Sequence, residues 1–337
     1  MFPASPRNPF PRRVGFWHNA LSSGNHTHLA GHFWPALPPL RVSMFKNLCP
    51  AVLGISGRES EMIELALSHG FKGINLDLAD FAGQVKAGGY EKASRLLTSA
   101  RLKLGSFSLP VRWHGGEGQF KADLMALPEV AELATRIGCT RAVTLIEPGS
   151  ETRPYHENFE FHRARLTEIG EALAKYEIRL GVGFLAPAAC RPEGTLQFMQ
   201  KAEEVVMLLG TVGGSNVGLA LDTWHWHIGG GSTEALRVLG KAGIVTVSLG
   251  DVEPGLTAED VPVSARRLPG EGGMIDNAAI LTTLAELGYD GPVTPTADKS
   301  RFAGQPREEI VKKAATAFDT VWKAAGLNAK GRLATVR

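Results

Sequence analysis

The chain predicts an α/β fold, a single (β/α)8 barrel preceded by a disordered N-terminal leader, and three observations predict it. Between Met44 and Ala325, short apolar runs alternate with helical patterns through eight repeats, the count of a closed barrel. Strands alternating with helices require parallel pairing and right-handed crossovers. The first strand-to-helix turn, Gly54-Ile55-Ser56-Gly57-Arg58, lacks the third glycine of a dinucleotide-binding turn and the acidic residue downstream, which disfavours an open doubly wound sheet.

Taken in order, Cys49 to Ser56 reads as a first strand, and Glu59 to His69 as a helix with Met62, Ile63, Leu65, Ala66 and Leu67 apolar, closed by Gly70. Gly73 to Leu78 reads as the second strand, followed by a helix over Tyr90 to Ala100. Leu102 to Val111 is the third, with a helix from Phe120 to Ile137 stopped by Gly138. Arg141 to Ile146 and Ile178 to Leu185 are the fourth and fifth. Their helices cover Asn158 to Tyr176 and Thr195 to Leu209. Val217 to Leu221 forms the sixth strand, Thr233 to Ala242 its helix, and Ile244 to Leu249 the seventh. After a longer loop come a helix from Asn277 to Leu287, an eighth strand from Pro292 to Thr296 and a last helix from Arg307 to Ala325.

The domain division is therefore a leader at 1–43, a barrel at 44–326 and a flexible tail at 327–337. The leader holds Arg7, Arg12, Arg13 and Arg41 and no acid, so the remainder of a chain with net charge +2 carries a net −2. Disorder, or a translation start at Met44, accounts for it; a transit peptide would need an amphipathic helix that is not evident. His18, His26, His28 and His32 match no rigid ligand spacing. A near-neutral body excludes nucleic acid as the main partner, since phosphate binding needs a basic face. No apolar run is long enough to cross a bilayer. Cys49, Cys139 and Cys190 are far apart and form no metal spacing, which suits free thiols in a cytoplasmic setting. The oligomeric state is not legible.

Ligands of parallel barrels gather where the strands exit. Those exits hold Arg112, Trp113 and His114 after the third strand, Glu147 after the fourth, Asp222, Trp224 and His225 after the sixth, Asp251 after the seventh and Asp298 after the eighth. The sixth is the densest: an apolar run ends in Asp222, and two indoles and two imidazoles follow within five residues. Asp222 capping a turn is the bland alternative, but no helix is evident there for it to cap before Ser232. Carboxylates beside imidazoles can exchange protons near neutral pH. Indole faces suit the C–H faces of a sugar, and Arg112 and Arg267 can hold an anionic group.

Leu221-Asp222-Thr223-Trp224-His225, the strand ending Val247-Ser248-Leu249-Gly250-Asp251, Arg267-Leu268-Pro269-Gly270-Glu271-Gly272 and Gly288-Tyr289-Asp290-Gly291-Pro292-Val293 together resemble the xylose isomerase-like sugar phosphate isomerase/epimerase superfamily of TIM barrels, over about Lys46 to Ala325. The resemblance implies one divalent metal held by a Glu on strand five, an Asp on strand six, a His on strand seven and a Glu on strand eight, the two glutamates moving a proton between adjacent carbons. Asp222 matches the strand-six ligand and His225 the nearby substrate-contacting histidine. Gly183, Ser248 and Thr296 stand at the other three positions, and no Glu lies within three residues of Gly183 or Thr296.

A hard cation needs about six donors with carboxylates among them, so Asp222 as the single matched ligand does not hold it tightly, and the sequence leaves metal binding undecided. The expected activity is that of a sugar or sugar-phosphate isomerase or epimerase, or a related lyase, acting on a small carbohydrate. Its catalytic groups would be Asp222, His225 and Glu147, with Arg112, Trp113, His114, Trp224, Asp251, Arg267 and Asp298 contacting substrate. The alternative is a non-catalytic carbohydrate-binding or regulatory barrel derived from such an enzyme.

Overall fold

In the computed structural model, which describes residues 43–256 and 260–334, eight parallel strands close into a barrel ringed by helices. The strands are Phe45–Leu48, Gly73–Ile74, a third in two pieces (Lys103–Leu104 and Phe107–Ser108), Arg141–Ile146, Arg179–Phe184, Val217–Asp222, Ile244–Leu249 and Pro292–Pro295. The first strand pairs with the eighth, Lys103–Leu104 with the second strand and Phe107–Ser108 with the fourth. Only Gly105 and Ser106 separate the two pieces of the third strand, so it joins both ends of the sheet and closes the ring. The leader expected at 1–43 lies, but for its last residue, outside the described residues.

The fourth to seventh strands fall within a residue of their predicted bounds. Elsewhere the local pattern misleads. The second strand stops at Ile74, because Asp77 turns the chain into a helix, Leu78–Gly88, that sequence periodicity did not reveal. That helix buries only Leu78 and Phe81 and carries two glycines, too little for a periodic signal. The expected helix from Thr195 starts instead at Ala202, after Leu196–Gln197 pairs antiparallel with Gly149–Ser150. Residues 327–334 turn back on themselves, Leu327 bridging Leu333 and the Trp322 indole donating to Asn328 O at 3.0 Å.

The core lies between the ring and its helices. Phe120, Leu127, Ala131 and Ala134 of the helix Glu117–Arg136 are buried, as are Leu166, Ile169 and Leu173 of Tyr155–Ala174. Those spacings put one apolar stripe of each helix on the sheet. No helix of the described residues is long and apolar enough to cross a membrane.

One loop does most to shape the mouth. Beyond the seventh strand, Asp251–Val252 pairs antiparallel with Arg266–Arg267. The buried Asp251 carboxylate then accepts six backbone N–H groups. Val252, Met274 and Ile275 donate to Oδ1 at 2.8, 3.1 and 3.1 Å. Gly270, Gly272 and Gly273 donate to Oδ2 at 3.1, 3.2 and 2.8 Å. The loop passes so close to its partner that a Cβ at Gly272 would meet Val252 O at 1.9 Å, so only glycine fits. An Asp251→Asn variant would present an amide NH2 to three N–H donors. We expect it to lose about 3 kcal/mol or more in urea unfolding and to be cut by protease within 266–276 before the barrel unfolds. Stability equal to wild type would show that the carboxylate does not organise this loop.

Candidate active site

The sixth strand delivers Asp222 to the mouth, and Asp222 does what the bland reading allowed. Its Oδ1 accepts from Trp224 N at 3.1 Å and His225 N at 3.4 Å, capping a six-residue helix, Thr223–Ile228. The expectation that nothing needs a cap before Ser232 is thus corrected: two short helices, not one, follow this strand. The carboxylate's other oxygen is engaged as well. Oδ2 accepts from Nη2 of Arg266, a residue that the motif reading passed over. The same Nη2 donates to the Thr296 hydroxyl, which in turn donates to Leu249 O at 3.1 Å. The Arg266 guanidinium carbon stands 5.6 Å from the centre of the Trp224 ring, inside cation–π range. Arg266 Nε is buried without a partner. Burial pushes the Asp222 carboxyl up, but Arg266, His225 and the hydrogen bonds outweigh it and hold the group below its usual range. Asp222 is therefore an anchored anion and a poor proton acceptor.

His225 is buried on the same short helix. Its Nδ1 accepts the Ala186 N–H at 3.2 Å, so the neutral ring carries its proton on Nε2. Burial lowers its pKa, the Asp222 charge raises it and Arg266 lowers it, leaving about 4. At neutral pH this ring is an uncharged N–H donor. Gln200 steadies the loop that fixes it, donating to Ala186 O at 3.2 Å and Pro187 O at 2.8 Å.

A second group forms around the third and fourth strand exits. The His114 ring lies on Trp113, with centroids 3.6 Å apart, and its Nε2 donates to Leu145 O at 3.1 Å. Burial depresses the His114 pKa more than the nearby Glu147 charge raises it. Glu147 itself is exposed at the end of its strand. Trp113 is buried beneath the helices, its indole donating to Thr144 at 2.8 Å, so it supports His114 and offers no face to a ligand. Beside this group, a cavity of about 780 Å³ opens over the first three strands, lined by Cys49, Glu59, Asn75, Asp77, Ser106 and Ser108 among others.

The remaining expected contacts are held elsewhere. Arg112 turns onto a helix, its Nε and Nη2 donating to Asp123 at 2.9 and 2.7 Å. Asp251 is consumed by its loop. Arg267 pairs with Glu253, and Asp298 caps the turn at Lys299–Phe302 through Ser300 N at 2.8 Å. In Arg266–Arg267, adjacent strand residues face opposite sides. The motif drew attention to Arg267, whereas its neighbour reaches Asp222. An arginine two residues before the Leu-Pro-Gly-Glu-Gly turn was the available signal.

The metal-ligand set implied by the resemblance is not here. Ser248 pairs with Asp222 across the sheet in register, and Thr296 is bonded to Arg266. A Cβ at Gly183 would lie 2.7 Å from Leu145 Cδ2, so an apolar side chain covers the place of the strand-five glutamate. Among the described residues no three His, Cys, Asp or Glu side chains gather as a metal site requires. This donor set does not fit a divalent cation.

The sequence model of the xylose isomerase-like TIM barrel family matches residues 63–321. The chain belongs to that family. An inosose isomerase of Bacillus licheniformis is 29% identical over 154 residues, which is 44% of this chain and 50% of that protein. The chain thus spans about half the length of the curated relative it matches. Among solved structures, a xylose isomerase domain protein from Alicyclobacillus acidocaldarius superposes with a TM-score of 0.75 at 22% identity, covering 84% of this chain and 99% of that one. The IolI protein, solved with a bound zinc atom, gives a TM-score of 0.69 at 19% identity over 84% of this chain and 98% of that one. These likenesses confirm the barrel.

His162, behind His114, supplies a test of the packing. It is buried, its Nδ1 lies 2.7 Å from Asn158 O, and its ring meets Trp113 edge-on at 5.0 Å and Phe198 at 4.5 Å. Burial pushes its pKa down to about 4, with His114 and Arg153 adding to the fall and the Asn158 bond opposing it. The folded value lies below the unfolded one. The neutral ring's stabilisation is therefore complete above about pH 6.5 and is lost as pH falls toward 4, by on the order of 3 kcal/mol. His162→Phe should flatten that part of the stability–pH curve, measured by urea unfolding at pH 4 to 7. An unchanged slope would mean that His162 is not what titrates.

Proposed function

We propose that this chain is a sugar isomerase or epimerase, moving a proton between adjacent carbons of a small polyhydroxy carbonyl compound at the C-terminal mouth of the barrel. The observation that carries the reading is the neutral His225, with Nδ1 committed to Ala186, beside the Asp222–Arg266 pair. A neutral Nε2–H donor next to a fixed cation polarises a carbonyl and stabilises the enolate oxygen formed when the adjacent carbon loses its proton. Asp222 has both oxygens engaged, so we assign the base to Glu147. It takes the proton from carbon and returns it on the same face to the neighbouring carbon, whose hydroxyl proton passes to the former carbonyl oxygen; epimerisation takes its returning proton from water on the opposite face. The likeness to an inosose isomerase supports a ring ketone as substrate class, and the free thiols of Cys49, Cys139 and Cys190 accord with a cytoplasmic setting.

One observation favours a second reading, a barrel that binds carbohydrate without turning it over. Gly183 and Thr296 stand where the resemblance expects the two glutamates, and neither can take up a proton.

The two readings separate in deuterated water. With an inosose or D-fructose as substrate, proton NMR should show deuterium entering beside the carbonyl. Glu147→Gln should lower kcat about 100-fold or more while KM moves less than threefold. Exchange at the wild-type rate in that variant would remove Glu147 from the mechanism. Sugars that raise Tm with no exchange at all would favour the binding reading.

A further inference from the structure

We propose that Arg266 is this barrel's resident cation, standing where the family resemblance puts a divalent metal, and that the ligand it faces is an uncharged sugar rather than a sugar phosphate. The inference deepens the isomerase reading by naming the substrate class and the charge that receives it.

Three observations meet at this one guanidinium. It bonds the carboxylate of Asp222, the single matched metal ligand, and the hydroxyl of Thr296, at the position of the strand-eight glutamate. Its side chain is 14% exposed and that of Asp222 22% exposed, so the pair is neither a freely solvated surface contact nor sealed from a ligand. It is also placed by design of the loop rather than by chance. Arg266 pairs with Val252 in the short antiparallel ribbon, and Asp251 at the head of that ribbon is tied to the returning segment by backbone N–H groups. A flexible surface arginine has no such support.

Charge counting at this corner then favours one class of ligand. Two glutamates, an aspartate and a histidine around a divalent ion leave an excess of one negative charge. Here one guanidinium faces one carboxylate, and Gly183, Ser248 and Thr296 add none. The exchange removes the metal and the acids that compensated its dehydration together, which is the condition for either loss to be tolerated. The corner is left with no net positive charge, because Asp222 already neutralises Arg266. A phosphate needs uncompensated cations, whereas Arg112 is committed to Asp123 and Arg267 to Glu253. Hydroxyl and carbonyl oxygens, by contrast, need only N–H donors. The Arg266 guanidinium is partly exposed and His225 keeps its Nε2 proton. A neutral polyhydroxy ketone suits such a corner.

The full-length chain, freed of metal with EDTA and dialysed, tests this by calorimetry. Mn2+ alone should show no site tighter than millimolar. 2-Keto-myo-inositol or D-fructose should bind equally with and without Mn2+, and D-fructose 6-phosphate at least tenfold more weakly than D-fructose. Arg266→Met should weaken sugar binding 30-fold or more, and Arg266→Lys, which keeps the charge, by less. Since Arg266→Met leaves Asp222 unpaired, the double variant Arg266→Met/Asp222→Asn is the control for folding and should also fail to bind. One micromolar Mn2+ site in the wild type, or tighter binding of the phosphorylated sugar, would overturn the proposal. Metal-independent, Arg266-dependent binding without turnover would sink the isomerase reading and sustain this one. If neither sugar binds, the isomerase reading falls, and the Mn2+ titration alone decides which cation belongs here.

Discussion

A single buried carboxylate sets the shape of the barrel mouth. Asp251 accepts six backbone N–H groups and gathers them around one buried charge. The chain between Gly270 and Ile275 has no regular structure of its own, so this anion is what makes its path definite. The ribbon that carries Arg266 begins at the same residue. Arg266 reaches Asp222 because Asp251 holds the loop, and the short helix bearing His225 is capped by that same Asp222. The candidate site is thus a chain of dependence running from Asp251 through Arg266 to Asp222, the acid that caps the helix of His225.

The two aspartates show why strand exits mislead. Asp222 and Asp251 both end an apolar run, and both look like groups aimed at a ligand. In Asp222 one oxygen caps a helix and the other meets a cation; in Asp251 both oxygens are absorbed by main chain. Asp77 and Asp298 likewise turn back to cap the segments they begin. A carboxylate at the end of a strand sits beside the free N–H groups of whatever follows, and these compete with any ligand for it. Position along the chain does not say which wins.

The barrel itself was readable because its longer strands, Arg141–Ile146 through Ile244–Leu249, are mostly apolar segments of strand length that alternate with helical patterns. The third strand was readable only as one stretch, since its division at Gly105 and Ser106 comes from the ring's need to join two edges. The helix Leu78–Gly88, poor in buried apolar residues, was not readable at all. In the candidate site, Asp222 and His225 were singled out by their motif. Arg266 was missed because its partners lie 44 and 30 residues away in sequence, and because a twin arginine beside it fitted the motif better.

Leu145 gives the glycine at position 183 a packing consequence. A Cβ there would lie 2.7 Å from Leu145 Cδ2, so a longer side chain enters the barrel mouth only if this half-exposed leucine turns aside. A guanidinium already engages Asp222 and Thr296 on the neighbouring strands. A lone glutamate at 183 would therefore bring a second carboxylate to the mouth without bringing a cation to meet it.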